Sequence, residues 1–328
     1  MGSVKLLKKE RQSVIFFANA CRAAEKMKKI LSIFLCIAVL FGLVSCGKNK
    51  TENATDSNIN TAENSTAFQN NSENNTSSVT DTQNQVEKVK ITIPEGYTLL
   101  RISWLLEEKG LCSSDDFVNA AQSAKDWIDL SEYPFLKDAF NAKNVCFYLE
   151  GYIFPLTYEI PKGTDVKSII KMFLNGAKAR FDSDFMAKVQ NSGYNVHEIL
   201  TIASIVEKEA CTDEQRPMVA SVLYNRLKEK MPFQCDVCIN YCEGVIKLEY
   251  PDKFPTVKEY YNSKNAGLIA GPICNPGMKA INAALSPAST DYLYFIIGTV
   301  PPYEAHYSKT YEEHDAFWQA NKDRLTGK

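Results

Sequence analysis

The chain carries no surplus of positive charge. Lys and Arg number 37 against 39 Asp and Glu, a formal net charge of −2. A protein that tracks phosphate backbones needs a basic face, so nucleic acid is not an expected partner. Near the N-terminus the apolar stretch Ile30 to Val44 is shorter than the ~20 residues a bilayer-spanning helix needs. Residues 47–85 have almost no aliphatic side chains and are rich in Asn, Ser and Thr. Such a stretch buries too little apolar surface to offset its ordering entropy, and it reads as a disordered tether. A second paired cysteine cluster is also missing. Cys235, Cys238 and Cys242 form C-x2-C-x3-C, but a zinc site wants a fourth ligand and usually a second pair. No metal is therefore expected.

What is present is enough apolar side chain for one or two domains with real cores, 45% of the 328 residues. The N-terminus reads as an export signal: Lys28 and Lys29 precede the apolar stretch, and Leu43-Val44-Ser45-Cys46 resembles the bacterial lipobox, which would make Cys46 the lipidated residue. A plain membrane anchor is the alternative. Residues 1–26 precede this signal, which makes Met27 a candidate start. The expected location is the cell membrane, with the folded part on its extracytoplasmic side. Of the ten cysteines, Cys21, Cys36 and Cys46 belong to this segment. Seven remain (Cys112, Cys146, Cys211, Cys235, Cys238, Cys242 and Cys274), and an odd number in an exported chain leaves at least one free thiol.

The folded part divides, on pattern, into a module over 88–180 and a larger domain over 181–328, after the signal or anchor (1–46) and the linker (47–87). Val89 to Ile93 alternates apolar and polar, as a half-buried strand does. Pro94-Glu95-Gly96 marks a turn. Leu99, Ile102, Leu105 and Leu106 recur at helical spacing, Gly110 stops that helix, and Ser113 or Ser114 caps the next. Pro161-Lys162-Gly163-Thr164 followed by Val166, Ile169, Ile170 and Phe173 is again turn then helix. Tyr292 to Phe295 reads as a buried strand.

The richest segment is Asn195 to Lys228. Asn195 followed by Glu198 is a capping box. Ile199, Ile202, Ala203, Val206 and Ala210 share one helical face. Glu207 and Glu209 border that face from opposite sides, and periodicity does not choose between them. A carboxylate held in apolar surroundings has a raised pKa, the state that general-acid cleavage of a glycosidic bond requires. Cys211 to Arg216 reads as a turn, with Pro217 at the first position of a second helix and Arg226 in an ion pair at its end.

Ala203-Ser204-Ile205-Val206-Glu207-Lys208-Glu209, then Val219-Ala220-Ser221-Val222-Leu223-Tyr224-Asn225-Arg226-Leu227, resembles the core motif of the YceG-like endolytic murein transglycosylases. Glu150 to Tyr158 resembles the family's EGYLFPDTY, with Leu156 in place of Asp. Met231-Pro232-Phe233-Gln234-Cys235-Asp236-Val237 resembles its MPLQSDPTV, with Cys235 for Ser and Val237 for Pro. Tyr261-Asn262-Ser263, the glycine loop to Ile273 (with Ile269 and Ala270 replacing two prolines), Asn275-Pro276-Gly277 and His306-Tyr307-Ser308-Lys309-Thr310 continue the likeness, which spans roughly residues 88 to 320.

That resemblance implies an α+β fold: a small LysM-like module followed by a YceG-like catalytic domain. The module would bind glycan, or would be an accessory subdomain without sugar affinity. The implied reaction is non-hydrolytic cleavage of MurNAc–GlcNAc bonds in peptidoglycan, with Glu209 the catalytic acid and no cofactor. Glu207, Gln234, Asp236, Tyr261, Asn262 and His306 would line the substrate groove. Implied partners are peptidoglycan glycan strands, the bacterial membrane through the N-terminal anchor, and cell-wall synthases. Two other classes stay open: a wall-binding scaffold with little activity, and a hydrolytic muramidase using Asp236 as second acid.

Overall fold

The computed structural model describes residues 87–327. The export signal, the lipobox Cys46 and the linker lie outside the described residues. β1 (Lys88–Thr92) leads through a turn into α1 (Leu99–Glu108), then α2 (Ser114–Gln122). Three short helical turns follow, at Ala124–Trp127, Pro134–Leu136 and Lys137–Asn141, and the chain returns as β2 (Thr157–Pro161). Next come α3 (Val166–Lys178), α4 (Ser183–Ser192), α5 (Val196–Glu209), α6 (Gln215–Lys228) and α7 (Asp236–Tyr241). α7 continues through a π-helical turn, Cys242–Ile246, into Lys247–Glu249. Beyond the short turns at Phe254–Val257 and Lys258–Tyr260 lie α8 (Met278–Leu285), β3 (Tyr294–Ile297), β4 (Ala305–Ser308) and α9 (Tyr311–Thr326).

Helix starts are where short polar side chains allow them. Thr98, Ser113, Asp165 and Asp182 each accept a backbone N–H from the first turn of the helix that follows. The box at α5 is complete: Glu198 N donates to Asn195 Oδ1 at 3.0 Å, and Asn195 N to Glu198 Oε2 at 2.9 Å. Gly96 and Gly110 take φ of +75° and +67°, which explains why the expected turn and helix stop are glycines.

β1 and β2 form a two-stranded antiparallel sheet, Val89 opposite Ile160 and Ile91 opposite Tyr158. Ile91, Tyr158 and Ile160 are buried, Tyr158 meeting Phe173 of α3 with ring centroids 4.8 Å apart, and Leu99 and Ile102 of α1 and Ile169, Ile170 and Phe173 of α3 are fully buried in the same core. The order is strand, two helices, then strand, with residues 123–156 inserted before the second strand. β3 and β4 form a separate antiparallel hairpin, Ile296 opposite His306. One apolar cluster runs from Ile91 to Ala284 and includes residues on both sides of position 180.

α5 lies at the centre of this cluster. Every residue from Val196 to Val206 except Glu198 is buried. The helix is thus wrapped on all sides rather than on the single face its periodicity suggests. α6 and α8 pack along it.

Three local expectations are corrected. α6 begins at Gln215, before Pro217, because Gln215 folds back: its Oε1 accepts from Cys211 N (2.9 Å) and Thr212 N (3.2 Å), and its Nε2 donates to Tyr303 O (2.6 Å). Pro217 still sits in the first turn, where its missing N–H costs nothing. The strand expected at Tyr292 begins at Tyr294 and is only partly buried. Thr290 O and Tyr292 O are taken instead by the Asn225 amide, both at 2.9 Å. Arg226, finally, makes no ion pair among the described residues. Its guanidinium donates to the carbonyls of Leu293 (2.5 Å), Pro232 (3.1 Å) and Phe233 (2.6 Å), and lies over the Tyr294 ring.

Among the described residues no helix is long and apolar enough to cross a membrane. All seven cysteines there are free thiols.

Candidate active site

The last turn of α5 carries Glu207, Lys208 and Glu209. Successive helical residues are rotated by about 100°, so the three side chains splay in different directions. Lys208 Nζ donates to Gly96 O at 2.7 Å, which ties the helix end to the turn after β1. Glu207 Oε2 accepts from Gly277 N at 3.3 Å, at the start of α8. Glu95, from the same turn as Gly96, lies beside it: a Cβ placed on Gly277 would meet Glu95 Oε1 at 1.9 Å. Burial raises the Glu207 pKa above the usual carboxylate range, and the Glu95 charge adds to that rise.

Glu209 points the other way, toward the loop before α7. Burial pushes its carboxyl up to about 7, the nearby Asp236 charge acts in the same direction, and a hydrogen bond from the Cys235 thiol opposes them. As the last residue of α5, Glu209 also stands at the negative end of the helix dipole, which further disfavours its ionised form. Ala210 leaves the helix in extended conformation immediately afterwards. Glu209 as a residue is only partly buried. A carboxyl in this condition can give up a proton near neutral pH and take one back.

The loop facing Glu209 is held from both sides. Arg226 fixes the Pro232 and Phe233 carbonyls, and Phe233 is buried. Gln234 N donates to Ser263 O at 2.7 Å, and Ser263 Oγ donates to Cys235 O at 2.9 Å. Gln234 takes φ of +53°, which turns its side chain outward and the Cys235 side chain inward.

The substrate-groove candidates separate. Gln234 on this loop and Asp236 at the first position of α7 are both exposed, and the Asp236 charge reaches Glu209. Tyr261 is 1% exposed, and its hydroxyl accepts from Cys146 N at 3.3 Å, so it supports the loops from within. Asn262 shapes a turn, its Oδ1 accepting from Lys264 N at 3.1 Å. His306 stacks on Phe317 of α9, ring centroids 3.6 Å apart.

Several residues at the site were not singled out by sequence reasoning. Glu150 is 1% exposed. Its Oε1 accepts from Leu99 N (2.9 Å) and Asn275 Nδ2 (3.0 Å), and its Oε2 from the Tyr241 hydroxyl (3.0 Å). Burial pushes this carboxyl up to about 8. Asn275 in turn bonds Ile153 N and Tyr97 O. One buried carboxyl group thus joins the start of α1, the end of α7 and the loop before α8. Glu150 and Asn275 both stood in quoted motifs, which was the available signal; Glu95 had only its place in a turn.

A shallow hollow lined by Asp138, Ser183, Met186, Val189, Gln190 and Asn195 lies at the opposite end of α5. A helix of this length puts it about 20 Å from Glu209, too far to share a substrate bond.

The model of the YceG-like family matches residues 48–320. A Bacillus subtilis (strain 168) protein named endolytic murein transglycosylase is 35% identical over 235 residues, 69% of this chain and 63% of that protein. A protein of the same name from Streptococcus pneumoniae (serotype 2, strain D39) is 33% identical over 251 residues, 72% of this chain and 45% of that one. The chain thus spans less than two thirds of the length of either curated relative. The crystal structure of a YceG-like protein from Listeria monocytogenes superposes with a TM-score of 0.60 at 33% identity, covering 70% of this chain and 75% of that one.

Proposed function

The chain belongs to the YceG-like family, and from that premise we propose that it is an endolytic peptidoglycan lytic transglycosylase with Glu209 as its catalytic acid and base. The observation that carries this reading is the Glu209 carboxyl, pushed up to about 7 by burial at a helix end while still reachable from solvent. The relatives named endolytic murein transglycosylase support the substrate class.

The reaction needs one carboxyl twice. Protonated Glu209 gives its proton to the glycosidic oxygen, the MurNAc C1–O bond breaks, and GlcNAc leaves with a free hydroxyl. The Glu209 carboxylate then takes the proton of the MurNAc C6 hydroxyl, and O6 closes on C1. The product is a 1,6-anhydro ring, Glu209 is again protonated, and no water is consumed. Tuning one acid close to the working pH serves both halves. Gln234 on the clamped loop and Asp236 at the start of α7, both exposed, are the groups placed to meet sugar hydroxyls, with Glu207, Asn262 and His306 assigned to more distant parts of the groove.

The same proposal includes a LysM-like glycan-binding role for the strand–helix–helix–strand unit, supported by its antiparallel β1–β2 pairing. It also includes a lipid anchor at Cys46 that holds the enzyme on the extracytoplasmic face, where it would end nascent strands near cell-wall synthases. Cys46→Ala should release the protein from the membrane fraction; unchanged acylation of that variant would refute the anchor.

Asp236 favours one rival, a hydrolytic muramidase, because its charge reaches Glu209. Two-carboxylate glycosidases use such a neighbour to activate water or form an adduct. Product analysis decides. Purified glycan strands digested with the full chain should yield anhydro-MurNAc ends by mass spectrometry. New reducing MurNAc ends would establish hydrolysis, and strands left intact would make the protein a binding scaffold.

A further inference from the structure

Glu209 is the last helical residue of α5, and a helix end is the part least held by the helix itself, because its final carbonyls have no partner within it. The Ala210 N–H bonds Val206 O at 2.9 Å, and Ala210 is already extended. An acid that must stay aimed through two proton transfers needs this last turn kept from fraying. Its two neighbours are anchored. Lys208 Nζ reaches Gly96 O at 2.7 Å, across 112 residues of chain, and Glu207 Oε2 takes the Gly277 N–H at 3.3 Å. The lysine bond is the shorter and comes from a charged donor, so it is the stronger of the two.

The anchor at Gly96 is itself fixed. Gly96 N donates to Asn275 O and Asn275 N donates to Tyr97 O, both at 2.8 Å. Asn275 is fully buried. Its amide nitrogen spans Tyr97 O (2.9 Å) and Glu150 Oε1 (3.0 Å), and its Oδ1 accepts from Ile153 N (2.8 Å). Gly96 has φ of +75°, and a Cβ there would come 3.4 Å from Lys208 Nζ and 3.6 Å from Glu207 Cγ. The turn after β1 thus lies directly on the Glu207 and Lys208 side of the α5 end.

We propose that Lys208 is a positioning residue for Glu209: its ammonium, bonded to Gly96 O, ties the end of the catalytic helix to the turn after β1 and makes that turn of the small module part of the catalytic machinery. In this role Lys208 touches no reacting atom. Lys208 is exposed as a residue, so removing its ammonium opens no cavity in the core. What is lost is the fixed direction of the last turn, and with it the aim of the carboxyl one residue on. The module therefore acts on cleavage through the backbone of residues 95–97, independently of any glycan it binds.

This inference rests on Glu209 being the acid, and the test keeps the two apart. Lys208→Met retains the stem and loses the donor. In the full-length chain in detergent, labelled with 15N-alanine, hydrogen exchange at the Ala210 amide should speed up about tenfold, while Ala203, about two turns earlier in α5, keeps its wild-type rate. The kcat of anhydro-MurNAc release should fall by about ten- to a hundredfold, with KM within about twofold of wild type. Lys208→Arg keeps a cationic donor on a long stem and should recover at least about a third of the kcat together with the slow Ala210 exchange. An unchanged Ala210 rate or an unchanged kcat in Lys208→Met would overturn the proposal. So would a raised KM at constant kcat, which would make Lys208 a substrate contact. Equal acceleration at both alanines, or a variant that does not fold, would make Lys208 a general stabiliser and overturn it as well. Faster exchange at Ala210 alone, with no anhydro ends released even by wild type, would keep Lys208 as the brace of the α5 end and sink the transglycosylase reading instead.

Discussion

Glu209→Gln should abolish activity and stabilise the fold, and the second effect is what makes the test sharp. In the native protein the carboxyl titrates near 7 against 4.5 for an ordinary glutamate. At pH 7 about half of Glu209 is protonated, against about 0.3% for the ordinary group, which makes roughly 150 times more acid available. Gln keeps the shape and carries no transferable proton, so release of anhydro-MurNAc should fall by ~10²–10⁴-fold. The raised pKa also carries a stability cost with a definite sign. A carboxyl whose native pKa lies above its unfolded value favours the folded state below about 4.5 and penalises it as pH rises through about 7. The full penalty is about 3 kcal/mol, reached near pH 8. Removing the charge should therefore raise the melting temperature at pH 8 by about 5–10 °C and change it little at pH 4. Glycan digestion analysed by mass spectrometry, with thermal melts at both pH values, measures the pair. The reasoning is refuted if the variant cleaves at close to the wild-type rate, or if it loses activity together with stability at pH 8.

Wild-type release of anhydro ends should decline about tenfold per pH unit above 8, following the protonated fraction of Glu209; a flat profile to pH 9 would contradict the assigned acid. Arg226→Ala strands three carbonyls, the Phe233 one buried and the other two partly so, and should cost about 2–4 kcal/mol in urea unfolding, with Lys rescuing only part because it lacks the planar fork. Gly151 takes φ of +88°, and a Cβ there would sit 2.7 Å from the Pro272 ring, so Gly151→Ala should destabilise by about 2–4 kcal/mol; a stability loss under about 1 kcal/mol would show that this corner yields. Glu150→Ala leaves Leu99 N–H, the Asn275 amide and the Tyr241 hydroxyl without their acceptor and should cost about 3 kcal/mol. Glu150→Gln should cost clearly less, and equal losses for the two would mean that the hydrogen bonds do not hold this junction.

The local architecture was legible because its causes are local. A capping box spans three residues, so Asn195 and Glu198 announce the start of α5, and Ser113 sits where chain direction and a short polar side chain make a cap. Glycines at 96 and 110 mark left-handed backbone. Alternation exposed β1, and 3.6-residue spacing exposed α1 and α3. The resemblance supplied the family and the emphasis on Glu209. Periodicity by itself left Glu207 and Glu209 equal, because both border the same apolar face.

Only the tertiary structure distinguished their surroundings. Glu207 meets Gly277 and Glu95; Glu209 meets Cys235 and Asp236. It likewise gave Arg226 carbonyl partners instead of a carboxylate, moved the start of α6 through the folded-back Gln215, and buried Tyr261. The Glu150 junction shows the reason most plainly: its three partners lie 51, 91 and 125 residues away along the chain. Local periodicity records which face of an element is apolar, because that depends on a residue's own neighbours. Which polar group waits on the other side of that face depends on chain that folds back from far away, and the desolvation that makes Glu209 an acid exists only once that chain has closed over it.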